Sequence, residues 1–130
     1  MYLIFALGLA QRIECISNST HAELIELYNR ARYCIYPSFY EGFGIPILES
    51  IRCGCIPIVG PTPALVEVGR DIAIVQHSYI VEEWVSSILL FDLQITRRLE
   101  FFDAAHLNSK RFSWARACNE TIEVMRGCFR

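Results

Sequence analysis

Two short apolar runs, YCIY at Tyr33–Tyr36 and IPIV at Ile56–Val59, flank a segment with a helical pattern. Pro46 suits the start of that helix because proline has no amide proton to pair, and Gly54 suits its end because glycine accepts a left-handed backbone. Strands that are joined by helices pair in parallel through right-handed crossovers. The sequence therefore predicts an α/β fold, a doubly wound, Rossmann-like parallel sheet with flanking helices.

The same alternation extends along the chain in both directions. Thr20 with Glu23 three residues later forms a capping box, which predicts a helix to about Ala31. Two further short apolar runs predict strands at Ile13–Ile16 and Ile72–Val75. Helical patterns follow over residues 64–68, 80–90, 93–109 and after Ser113.

Composition limits the classes of protein that the chain can belong to. Its 130 residues make one domain at most, and 53% hydrophobic against 20% charged residues favours a covered sheet or a piece of a larger protein. A net charge of −2 gives no reason to expect a nucleic-acid partner. The apolar opening MYLIFALGLA is shorter than the roughly 20 residues that a membrane span needs, and it lacks the features of a secretory signal. We therefore expect a cytoplasmic protein.

The six cysteines follow no metal-binding spacing. No C-x-x-C pair occurs among them, so a zinc site is not predicted. Most of them lie in apolar runs, which favours small core residues over a disulfide framework.

The loop after Tyr33–Tyr36 has the features of an anion site. In an open parallel sheet, ligands bind at the carboxyl ends of the strands. Gly42 and Gly44 allow a sharp turn and a close backbone approach. No side chain caps the following helix, so the amides of Ile47 and Leu48 are expected to point outward, and each buried donor without a partner costs roughly 1–3 kcal/mol. A phosphate would satisfy these amides and lie well on the helix dipole.

Two carboxylates, Glu41 and Glu49, lie on either side of this turn. A carboxylate does not suit the phosphate, but it suits hydroxyl groups, which donate hydrogen bonds to it. A phosphate with hydroxyl-bearing groups on both sides describes a nucleotide-sugar. The alternative is an ordinary turn, with Glu49 interacting only with the helix dipole.

The whole string PSFYEGFGIPILESIRCGCIPIV resembles the signature of the group 1 (family 4) retaining glycosyltransferases, which have the GT-B fold. The family's signature is a Pro-Ser, then Glu-Gly-Phe-Gly-(Ile/Leu)-Pro, then a second glutamate after seven intervening residues. It ends in Cys-Gly-x-Pro-(Val/Ile)-(Ile/Val), where this chain reads CGCIPIV. The matching residues are Pro37-Ser38, Glu41 to Pro46, Glu49, and Cys53 to Val59. Flanking segments resemble the family from about Leu7 onward.

The resemblance implies specific roles. Glu41 would lie near the transferred sugar and is the catalytic candidate, although neither glutamate is assigned as a nucleophile. Glu49 would bind the ribose. The implied donor-binding set is Glu41, Gly42, Phe43, Gly44, Ile45, Pro46, Ile47, Leu48 and Glu49. Its substrate would be a nucleotide-sugar, UDP- or GDP-linked, and no metal or other cofactor is implied.

The resemblance covers only the later part of the C-terminal, donor-binding domain, over residues 1–130. The N-terminal acceptor domain and the Arg and Lys that neutralise the diphosphate in the family are expected to be absent. Three interpretations stay open: a glycosyltransferase that is a fragment or one half of a split enzyme, a non-catalytic nucleotide-sugar-binding subunit, or a remnant interaction domain. The first two need a partner chain or domain. Peripheral association with the inner face of the membrane stays open too.

The expected absence of the earlier part of the donor-binding domain also affects the predicted sheet. We expect three strands, Tyr33–Tyr36, Ile56–Val59 and Ile72–Val75, in one parallel sheet. Ile13–Ile16 should either move in beside Tyr33–Tyr36 or be poorly held, and the resemblance places Tyr2–Phe5 at the end of a helix.

Overall fold

A three-stranded parallel sheet organises the molecule. The computed structural model describes residues 2–128 of the chain, except the side chains of residues 2, 95–99, 106 and 109. The strands are β1 (Tyr33–Tyr36), β2 (Ile56–Val59) and β3 (Ile74–Val75), in the order β1-β2-β3. The flanking helices are α1 (Tyr2–Ala6), α2 (His21–Arg30), α3 (Ile45–Arg52), α4 (Pro63–Gly69), α5 (Val81–Asp92), α6 (Ile95–Ser109) and α7 (Trp114–Cys128). The predicted α/β class is confirmed.

The centre of the core is β2, whose four residues are all buried. It pairs with β1 on one side and with β3 on the other, so neither of its edges meets solvent. Its side chains pack against apolar residues of α3, α4 and α6, which together form one cluster: Ile47, Ile51, Leu65, Val68, Phe101 and Ala105. Burial of this strand on both faces is what a helix-covered parallel sheet requires.

One predicted strand is wrong. Ile13–Ile16 has no regular structure, and Ile13 and Ile16 are 42% and 50% exposed. An extended segment becomes a strand only when a neighbour pairs its backbone, and among the residues that the structure describes β1 pairs with β2 alone. The alternative expectation, that this stretch is poorly held, describes it correctly. The third strand is shorter than predicted, while Tyr2–Phe5 lies in helix α1 as expected.

The helix ends follow the predicted signals closely. The Glu23 amide donates to Thr20 Oγ1 at 3.3 Å, and the Thr20 amide donates to Glu23 Oε2 at 2.7 Å, so the capping box forms. Ser113 Oγ caps α7 by accepting from the Arg116 amide at 3.1 Å. Within the described residues, no helix is both long and apolar enough to cross a bilayer.

The prediction that the cysteines are small core residues is confirmed only in part. Cys55 is fully buried, and Cys34 and Cys53 are half-buried. Burial raises the pKa of the Cys55 thiol to about 12, with smaller contributions from Cys34 and Cys53. The remaining cysteines, Cys15, Cys118 and Cys128, are exposed, because the segments that carry them do not pack into the cluster.

The entry to α3 depends on Gly44. Its φ of 90° and ψ of 48° are left-handed, a conformation that side chains disfavour. A Cβ atom at this position would lie 2.6 Å from Cδ2 of Leu65, a side chain with no exposed surface. Gly44 is therefore required both by the backbone turn and by the packing of α4.

We predict that Ile58→Ala lowers the free energy of unfolding by about 2–5 kcal/mol, since Ile58 has no exposed surface and its truncation leaves a cavity in the core. The matched control is Ile35→Ala, at the residue that pairs with Ile58 across the sheet but is 54% exposed. This control should cost less than about 1 kcal/mol. Denaturant titration followed by circular dichroism measures both, and equal losses would contradict the assigned core.

We predict that Gly44→Ala destabilises the fold by about 1–2 kcal/mol from the left-handed backbone alone. The clash with Leu65 adds roughly 1–3 kcal/mol. Gly42→Ala is the control in the same loop, because its Cβ would meet nothing within 4 Å. Thermal unfolding of both variants tests this, and a Gly44→Ala protein as stable as the control would show that the turn is not as described.

Candidate functional site

The loop between β1 and α3, residues 37–44, lies at the carboxyl end of the sheet and is tied to the two loops beside it. The Ser38 carbonyl accepts a hydrogen bond from Thr62 Oγ1 at 2.7 Å and another from the Tyr79 hydroxyl at 3.0 Å. Thr62 follows β2 and Tyr79 follows β3. Loops after all three strands therefore meet at one place, where parallel sheets bind their ligands.

Aromatic rings cover one flank of this loop. The ring of Phe39 packs on that of Tyr79 with centroids 4.1 Å apart, and Tyr79 in turn stacks on Trp84 at 6.4 Å. A Cβ on Gly60 would lie 2.8 Å from the Tyr79 hydroxyl, so Gly60 allows this approach. Phe39 and Tyr40 are 78% and 87% exposed, which leaves aromatic surface facing solvent beside the loop.

Glu41 is half-buried and has a hydrogen-bond partner that sequence reasoning missed. The Tyr36 hydroxyl donates to Glu41 Oε1 at 2.6 Å. This hydrogen bond, and to a smaller extent burial, raises the pKa of Tyr36 from 10.0 to about 12. The phenol therefore keeps its proton and acts as a donor to the carboxylate. The position of Tyr36 at the end of a strand, five residues before Glu41, was the signal available in the sequence.

Glu49 lies on α3, half-buried and close to α2. Burial, then the charges of Cys34 and Glu49, raises the pKa of Tyr28 on α2 well above its ordinary value. Burial and then the Glu49 charge also raise the pKa of Cys53. The Glu49 carboxylate therefore has a second phenol, Tyr28, in its neighbourhood.

The start of α3 differs from the sequence expectation in one respect. The Ile47 amide, expected to point outward unpaired, donates to the Gly44 carbonyl at 3.0 Å, which is a tight turn at the helix start. The Ile47 side chain is fully buried, and Leu48 packs half-buried on the core. In the described part of the chain, the amides of Gly44 and Ile45 make no hydrogen bond. The amides without a partner are thus those of the N-cap residue, Gly44, and of the first helical residue, Ile45.

Phe43 and Gly42 complete the predicted set. The Phe43 ring meets Phe112 edge-on at 5.4 Å, and the Arg111 guanidinium lies over the Phe112 ring at 5.0 Å. Gly42 is exposed and open. Arg52, in the last turn of α3, donates to the Phe112 carbonyl at 2.6 Å, far along the helix from Gly44.

The arrangement offers hydrogen-bond acceptors at Glu41 and Glu49, with open amides of Gly44 and Ile45 between them in sequence. Such a set suits a ligand that carries both hydroxyl groups and an anionic group. No group of three or more His, Cys, Asp or Glu side chains in the portion that the structure describes is placed to hold a metal ion.

Comparison with known proteins identifies the family of this chain. The family model for glycosyl transferases group 1 matches residues 2–89, which is more than half of the chain and includes the loop and α3. The O-antigen chain mannosyltransferase B of Escherichia coli is 37% identical over 105 residues, which cover 80% of this chain and 27% of that protein.

Two other relatives also match most of this chain but only a small part of their own length. The serotype-specific mannosyltransferase WbdA of Escherichia coli is 34% identical over 106 residues, covering 80% of this chain and 13% of that protein. The D-inositol 3-phosphate glycosyltransferase of Corynebacterium aurimucosum is 27% identical over 121 residues, covering 91% of this chain and 28% of that protein. The chain thus spans about a quarter or less of the length of these curated relatives. The resemblance read from residues 37–59 is confirmed, and the chain belongs to the glycosyl transferases group 1 family.

Proposed function

We propose that this chain binds a nucleotide-sugar, UDP- or GDP-linked, at Glu41–Glu49, as the donor-binding part of a retaining glycosyltransferase of the GT-B type. The observation that supports this most directly is the start of α3, where open amides lie in a loop that has a carboxylate on each side. This combination suits phosphate in the middle and sugar hydroxyls at the ends.

The diphosphate is assigned to the start of α3. The amides of Gly44 and Ile45 are open, and the positive end of the α3 dipole favours an anion there. The Ile47 amide contributes only by sharing its proton between the Gly44 carbonyl and a phosphate oxygen. Leu48, next in the same turn, is the fourth amide of the proposed set. Pro46 and Gly42 shape the turn without offering a side-chain donor.

The two carboxylates are assigned to the two sugars of the donor. Glu49, near α2, would accept hydrogen bonds from the ribose hydroxyls. Glu41, held by Tyr36, would accept from a hydroxyl of the transferred sugar and is the candidate for a direct role in transfer. The Phe43 backbone, just before the amides that are assigned to the diphosphate, would line the same sugar.

The transferred sugar is proposed to be a hexose, because relatives of this chain are named as mannosyltransferases. Transfer also needs an acceptor-binding part, supplied by another domain or by a partner chain. The second candidate function, a nucleotide-sugar-binding subunit without catalysis, uses the same site. Co-expression with an acceptor-binding part, followed by a transfer assay, separates the two functions.

We predict that Glu49→Ala weakens binding of GDP-mannose and UDP-glucose about ten- to one-hundred-fold, because a hydrogen bond to a charged group contributes about 1.5–3 kcal/mol. Isothermal titration calorimetry of the soluble chain measures this. The fold should lose only about 0.3–1 kcal/mol, the usual contribution of a carboxylate in the first turns of a helix.

The control is Glu26→Ala on α2, where the glutamate side chain is 70% exposed and pairs with Arg30 at 3.8 Å. Its affinity for both probes should equal that of the unaltered chain. If Glu49→Ala unfolds the chain and the folded fraction binds both probes unchanged, Glu49 is a structural residue and the assignment is wrong.

A further inference from the structure

We infer that Tyr36 is a positioning residue, which holds one oxygen of Glu41 so that the other is directed at the transferred sugar. This inference rests on the proposed function, since it assigns Glu41 to the sugar end of the donor. Nothing in the sequence motif itself assigns a role to Tyr36.

The residue that donates this hydrogen bond, Tyr36, belongs to the sheet. Tyr36 is the last residue of β1 and pairs with Val59 of the buried central strand. Its backbone is therefore fixed by the sheet, and its half-buried ring packs against the core cluster. At 2.6 Å from Oε1, the contact has the short length of a hydrogen bond to an ionised acceptor.

The backbone on either side of Glu41 is held independently. Ser38, three residues before it, receives the Thr62 and Tyr79 hydroxyls on its carbonyl. Gly44, three residues after it, is the N-cap of α3 and lies so close to Leu65 that a Cβ would clash with it. The loop is thus tied on both sides of Glu41, and the Tyr36 hydrogen bond opposes rotation of the Glu41 side chain.

As a result, one oxygen of the Glu41 carboxylate already accepts a hydrogen bond before a ligand binds. Oε1 accepts from Tyr36, so Oε2 is left to accept from a sugar hydroxyl. Because Glu41 is oriented before the donor arrives, less rotational freedom is lost when the sugar binds. Removing the phenol should therefore weaken recognition of the sugar while leaving recognition of the nucleotide unchanged.

Tyrosine titration tests the contact by itself. In the unaltered chain the Tyr36 phenol should ionise with a pKa of about 12, and Glu41→Gln should lower this pKa toward 10, because the carboxylate that raises it is gone. Tyr33→Phe, which removes a hydroxyl bonded to Asp92 and not to Glu41, is the control and should leave the Tyr36 titration unchanged. Carbon-13 NMR of the tyrosine rings resolves the individual groups.

Donor binding tests the positioning role. Calorimetry of Tyr36→Phe, Glu41→Ala and the double variant uses two pairs of probes, GDP-mannose with GDP and UDP-glucose with UDP. We expect Tyr36→Phe to weaken binding of the better nucleotide-sugar about three- to tenfold, the range for ordering one side chain on binding, and to leave the affinity for its nucleoside diphosphate unchanged. The double variant should bind no more weakly than Glu41→Ala, because Tyr36 acts through Glu41.

The outcomes separate the two proposals. Equal losses for nucleotide-sugar and nucleotide, or additive losses in the double variant, would show that Tyr36 only supports the fold and would overturn the positioning role. A Tyr36→Phe chain that binds the nucleotide-sugar normally would overturn it too. If the unaltered chain binds none of the probes, the proposed function fails and the sugar-directed role fails with it, while the tyrosine titration still decides whether Tyr36 and Glu41 are paired.

Discussion

The burial of β2 is the constraint on which the rest of the molecule depends. A strand with no exposed residue must be paired on both edges and covered on both faces, and the parallel pairs with β1 and β3 meet the first condition. Parallel pairing also places the carboxyl ends of all three strands at the same edge. The hydrogen bonds from Thr62 and Tyr79 to the Ser38 carbonyl are a direct result, since these residues follow three different strands. The candidate site is therefore a product of the sheet and not of the loop alone.

The same packing sets the shape of the loop. Gly44 must be a glycine because Leu65 of the core leaves no room for a Cβ, and its left-handed backbone leaves its own amide and that of Ile45 without partners. Amides without a partner at a helix start are the donors that an anionic ligand would meet. The two glutamates of the signature then differ in environment. Glu41 is held by a phenol on β1, whereas Glu49 lies on a helix near α2.

Local signals in the sequence predicted much of the fold. The Thr20–Glu23 capping box, the helix that begins beside Pro46 and the run Ile56–Val59 each depend on residues close in sequence, and each is confirmed. Ile13–Ile16 was predicted wrongly because a strand depends on its neighbour, which periodicity does not report. The residues of the candidate site also divide into those that local sequence predicts and those that only the tertiary fold brings together. Glu41 to Glu49 could be named from the motif, but Thr62 and Tyr79 approach Ser38 only through the tertiary fold, and no sequence pattern indicated them.

A nucleotide-sugar donor that binds where the loop meets α3 should perturb the backbone amides there. Nitrogen-15 NMR spectra of the folded chain, recorded while GDP-mannose or UDP-glucose is added, measure this because every backbone amide reports separately. The largest saturable shifts should fall on Gly42–Glu49, with Gly44 and Ile45 foremost, and α7 should be unaffected. Saturable shifts that cluster elsewhere, or none with either nucleotide-sugar at millimolar concentration, would contradict binding at this site.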